Sequence, residues 1–125
     1  MKKFTILALL LSFVMVSFTT CKKDSGITCN LAKTDTAPSE MTILFKAIKT
    51  GDGVISTLTY QVGATTKTVT NPTLPWSVNV DASAGDAISI TATGTTSDGS
   101  LTISYDGKNA TDEIHGSDFC SHSND

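Results

Sequence analysis

The chain has 125 residues, with nine lysines, no arginine, twelve acidic residues and a net charge of −3. A surface that reads phosphate through paired guanidinium contacts is therefore excluded, and nucleic acid is not expected as a partner. The length permits one modest core and leaves no room for a second domain.

Residues 1–20 read as a targeting segment. Lys2 and Lys3 form a positive n-region, Phe4 to Val16 is almost wholly apolar, and Ser17, Phe18, Thr19 and Thr20 lead into Cys21. This resembles a bacterial lipoprotein signal cut before Cys21, which implies acylation of the cysteine and anchorage of the mature chain to a membrane by several acyl chains. Two other readings fit the segment. One is a membrane-spanning helix, for which the apolar run falls short of the roughly 20 residues needed. The other is a secretory signal cut elsewhere, with Cys21 left as a thiol. Removing residues 1–20 leaves 105 residues and seven lysines against twelve acids, a net charge of −5. The expected address is the cell envelope, at the outer membrane on its periplasmic or surface face.

From Lys22 to about Glu40 the sequence is polar and lacks apolar periodicity, as in a flexible tether; residues 21–40 are assigned to it and 41–125 to the folded domain. Asp35-Thr36-Ala37 resembles a short acceptor motif for O-linked glycosylation at Thr36.

Beyond Glu40 the period becomes two. Met41, Ile43, Phe45 and Ala47 form the first apolar row, and Leu58, Tyr60 and Val62 the second. Trp76, Val78 and Val80 follow, then Ile88, Ile90 and Ala92, then Leu101, Ile103 and Tyr105. Each row alternates with more polar residues, the pattern of a half-buried strand. Only Met41 to Lys49, where Leu44 and Ile48 blur the alternation, admits a helix. The separators are turn sequences such as Gly51-Asp52-Gly53, Asn71-Pro72, Gly85-Asp86 and Asp106-Gly107. Six or seven short strands so spaced predict an all-β fold, a single antiparallel immunoglobulin-like β-sandwich of about seven strands.

With Cys21 committed to lipid, Cys29 and Cys120 remain near the two ends of the folded part. An oxidising compartment predicts a disulfide between them, with two free thiols as the alternative.

Phe45, Tyr60, Trp76 and Tyr105 form either a sugar-stacking platform or core, and their register favours core; Trp76, Tyr60 and Tyr105 are assigned that structural role. His115, Asp118, Cys120 and His122 are ligand types for zinc, but Cys120 in a disulfide is lost as a thiolate ligand. His115, Ser117 and Asp118 contain hydrolase residue types without a nucleophile elbow. Asp52 and Asp106 read as turn residues, since isolated acids lack the oxygen ligands calcium requires. Asn109-Ala110-Thr111 fits an N-glycosylation pattern and also a plain turn. No catalytic residue, metal or cofactor is assigned.

Lys46 to Gly53, then Leu58-Thr59-Tyr60, Leu74-Pro75-Trp76-Ser77 and Asp106-Gly107-Lys108, taken in this order, resemble the MmpS-type periplasmic domain over about residues 45–120. The resemblance implies a small immunoglobulin-like domain, without catalytic residues, that assists a large envelope transporter. Here a lipid-modified cysteine stands where that family has a membrane helix. The expected function is a non-catalytic accessory or binding module of the envelope, the alternative a surface carbohydrate-binding or adhesin-type lipoprotein.

Overall fold

Threonine, β-branched and aromatic residues dominate the chain after Gly26, and such residues suit a pleated, half-buried backbone. The computed structural model describes residues 26–123, which form eight strands and no helix. They are β1 (Ile27–Thr36), β2 (Met41–Gly51), β3 (Val54–Val62), β4 (Thr65–Thr70), β5 (Trp76–Ala82), β6 (Ala87–Thr96), β7 (Gly99–Lys108) and β8 (Glu113–His122). Two four-stranded antiparallel sheets result: sheet I in the order β1-β6-β3-β4 and sheet II in the order β5-β2-β7-β8. Only the β3–β4 and β7–β8 connections stay within one sheet. The others cross between layers, so the chain passes repeatedly from one sheet to the other.

The period-two rows become the core. Leu31, Ile55, Leu58, Ile88 and Ile90 of sheet I face Ile43, Phe45, Leu101, Ile103 and Tyr105 of sheet II, all buried. Each side chain of this size contributes about 1.5–3 kcal/mol on burial. At one pole the turn after β2 meets the turn after β6. Gly51 pairs with Gly99, both at positive φ, and a Cβ on either would run into the carbonyl of Asp98 or Thr50. The chain therefore needs glycine at both places.

The edge strands are guarded. Lys33 on β1 pairs with Ile90, and Lys67 on β4 pairs with Tyr60, so both lysines occupy core-side rows at the sheet's rim while remaining exposed. A charged side chain at such a rim position opposes the addition of a foreign strand.

One expectation is corrected and two are refined. The polar segment assigned to a tether contains β1, so the folded domain begins near Ile27, not Met41. Cys29 and Leu31 supply its buried residues with Ile27 packed beside them, and Lys33 and Asp35 occupy the other core-side positions, which breaks the apolar alternation. The strand count is eight, because β4 and β8 carry few apolar residues. Met41 to Lys49 is strand, not helix, since Ile43, Phe45 and Ala47 bury one face between β5 and β7.

Candidate functional site

β1 and β8, the terminal strands, lie on opposite sheets and are joined by the Cys29–Cys120 disulfide. The same seam holds two carboxylates. The Ala32 N–H on the rim of β1 donates to Asp118 Oδ2 at 3.0 Å, and the Tyr105 phenol donates to Asp35 Oδ2 at 2.6 Å. The phenol's hydrogen bond, then that of the Thr36 N–H, holds the Asp35 carboxyl below its usual range. Burial, reinforced by the bond to Asp35 and its charge, pushes the Tyr105 phenol above its ordinary value. Tyr105 is thus a core residue with a polar tip that ties the two sheets.

Asp52 lies at the pole where the two glycines meet. Its Oδ1 accepts from the Ser97 N–H at 3.0 Å, the Asp98 N–H at 2.9 Å and the Thr96 hydroxyl at 3.1 Å, and its Oδ2 accepts from the Ser97 hydroxyl. The Ser97 hydroxyl stabilises the carboxylate most and the Asp98 N–H next, which holds the carboxyl well below the usual carboxylate range. These donors belong to the last residue of β6 and the β6–β7 turn. Asp52 acts as a latch between turns.

The aromatic row runs Phe45, Tyr60, Trp76, with ring centroids 5.3 and 5.6 Å apart and tilted planes. Phe45 is buried, whereas Tyr60 and Trp76 pack against the core and stay half-buried. Trp76 opens edge strand β5, directly after a cis Leu74–Pro75 peptide bond. The indole lines the mouth of the sandwich rather than its centre.

The C-terminal residues are dispersed by the alternation of β8. His115 and Ser117 face outward, while Asp118, Cys120 and His122 share the inner row. Asp118 caps β1, Cys120 is in the disulfide, and His122 Nδ1 lies 2.9 Å from the Ser97 carbonyl. Among the described residues no three His, Cys, Asp or Glu side chains converge as a metal site. Asn109 forms a turn: its Oδ1 accepts from the Thr111 and Asp112 N–H groups at 2.8 and 2.7 Å, and its Nδ2 donates to Ser39 Oγ and the Glu40 carbonyl. Asp106 is exposed on β7. Thr36 is exposed at the end of β1, and Cys21 lies outside the described residues.

A surface that pattern reading did not single out is the outer face of sheet I. Thr68, Thr59 and Thr91 form one rank across β4, β3 and β6, and Thr70, Thr57 and Thr93 the next. A cleft of about 260 Å³ opens at the end of this face, lined by Val54, Ser56, Asn71, Thr93 and Thr95 among others. The signal was present in the polar half of the alternation, which period-two reading treats only as the wet side. Comparison of the chain with protein-family models, with curated proteins and with solved structures gives no match.

Proposed function

We propose that this protein is a lipid-anchored, non-catalytic binding module of the bacterial cell envelope. Cysteine usage supports the reading most directly. Cys29 and Cys120 are consumed by a disulfide between the terminal strands, which suits a chain folded in an oxidising compartment. The remaining cysteine, Cys21, follows a positive and then apolar leader, as the acylated cysteine of a lipoprotein does. The titratable groups with displaced acidity, Asp35, Asp52 and Tyr105, are spent on bonds between strands and turns. Their perturbation serves the fold, and the surface is left to make contacts.

Within this reading the domain is an accessory of an envelope complex, with a transporter as the specific partner suggested by the MmpS-type resemblance. The test is a Cys21→Ser variant followed by metabolic acyl labelling and membrane fractionation. Loss of label and release from the membrane fraction are expected, because the acyl chains supply nearly all membrane affinity. Full retention of the variant in the membrane would overturn the anchor. Co-purification of an envelope transporter after cross-linking is expected for the accessory role, and its absence removes that role.

A further inference from the structure

We propose that the outer face of sheet I binds a neutral glycan chain. The inference rests on reading the domain as a binding module and names its ligand class.

Across all four strands, no outward position of this face carries a charged side chain. The charged residues of these strands, Lys33, Asp35 and Lys67, all occupy the core-side rows. High strand propensity explains the threonines. It does not explain the missing charge, because sheet II under the same backbone constraint places Lys46, Asp81, Asp106, Lys108 and Glu113 outward. Exposed strands ordinarily carry such charges for solubility and against edge association.

What remains is a lattice of hydroxyls, each able to donate once and accept twice, beside methyl groups. Strand spacing of about 4.8 Å sets these groups about a pyranose ring's breadth apart. The cleft adds depth. Ser56 is the extra residue where the β3–β6 register shifts, and a bulge of this kind bends its strand. Val54, 58% exposed, gives an apolar contact for the C–H face of a sugar, and Asn71 with the Thr93 and Thr95 hydroxyls lines the rest of the cleft.

Charge selects the ligand. A phosphorylated, sulfated or uronic polymer finds no cation on this face, and a basic peptide finds no carboxylate. An acyl chain finds apolar surface only within the short cleft around Val54 and Ile55, and meets ranks of hydroxyls beyond it. A neutral polyhydroxyl chain matches both the hydroxyl ranks and the cleft.

The experiment is biolayer interferometry of the full chain in detergent against immobilised mannan, dextran, xylan and heparin. Binding to at least one neutral polymer is expected, unchanged between about 0.05 and 0.5 M salt because no ion pair contributes. Thr93→Lys and Thr59→Lys should each weaken it by about tenfold or more, since an unpaired ammonium is costly to cover. Ser117→Lys, on the outer face of sheet II, should leave it unchanged. Where a lysine variant loses its far-ultraviolet spectrum, Thr93→Ala and Val54→Ser replace it, with weakening again expected. No response to any neutral polymer overturns the inference, as does a salt-sensitive response to heparin alone. Binding that survives every variant also overturns it but leaves the binding-module reading standing. Self-association of the parent that Thr93→Lys abolishes makes the face an interface between copies instead.

Discussion

Tyr105 and Gly116 stand opposite each other on β7 and β8, and a Cβ built on Gly116 would lie 2.6 Å from the Tyr105 hydroxyl oxygen. The phenol crosses its neighbouring strand over a bare backbone and so reaches Asp35 on the far sheet. A Gly116→Ala variant should displace the ring and lose the bond to Asp35, at a cost of about 1–3 kcal/mol from overpacking. Tyr105→Phe keeps the ring and removes the bond, at about 1.5–3 kcal/mol. The double variant should cost less than the sum, because both changes remove the same bond. Urea denaturation checks all three, and strict additivity would show that Gly116 does not act through the phenol.

The pair also predicts behaviour at high pH. Tyr105 has a raised value, so its contribution is full below the ordinary tyrosine value of about 10 and declines as pH rises toward the folded value. In a Tyr60→Phe background Tyr105 is the sole tyrosine. Its phenolate absorbance near 295 nm should then develop only with unfolding. A native-state titration near the ordinary value would remove the proposed environment.

Asp52 sets the behaviour at low pH. Its value is depressed, so its contribution is present above the ordinary carboxylate value of about 3.9 and is lost as pH falls toward the folded one. Asp35 has the same sign. Thermal unfolding followed from pH 6 to pH 2 should show the melting temperature falling below about pH 4. In Asp52→Asn the melting temperature should be lower at neutral pH, and its fall in acid should be shallower. Identical acid profiles for parent and variant would show that the latch is not formed in solution.

The disulfide closes a loop of sequence separation 91. In the chain-entropy account this contributes about 4–5 kcal/mol, a large part of the stability of a domain this size. Reduction, or Cys29→Ser with Cys120→Ser, should lower the urea midpoint strongly and raise the slope, because the unfolded chain freed of the loop exposes more surface. A thiol titration of the unfolded, unreduced domain should find neither Cys29 nor Cys120 free. Unaltered stability on reduction would contradict the staple.

Trp76 is the only tryptophan, half-buried on Tyr60. Trp76→Ala should cost about 2–4 kcal/mol, at or below the usual range for a fully buried ring. Native emission should respond partly to acrylamide, more than a sealed core and less than the unfolded chain. Quenching equal to that of the unfolded chain, with a fully stable variant, would detach the indole from the sandwich.

The contrast between β2 and β1 explains which parts of the fold were legible. In β2, Met41, Ile43, Phe45 and Ala47 are all buried between two neighbouring strands, so burial wrote itself into an apolar row. β1 is a rim strand, and its inner row reads Ile27, Cys29, Leu31, Lys33, Asp35. Three of those five positions are set by demands other than core burial: a covalent bond, a guarded edge and an acceptor for Tyr105. β8 repeats the case with Gly116, Asp118 and Cys120. Periodicity reports partition into a core and is silent about sulfur chemistry and long-range hydrogen bonds. The threonine face was hidden for the complementary reason, since its meaning lies in ranks across strands that only register reveals.

The staple between Cys29 and Cys120 also fixes how the domain bears load. β1 starts beside Thr96 and β8 ends beside Gly99, so both ends of the chain leave at the same pole. Tension applied between those ends enters at Cys29 and exits at Cys120 through one covalent bond. The strands between them lie outside the force path, and their hydrogen-bond ladders carry none of it. Pulled between those ends, the domain would lengthen only by the few residues outside the loop.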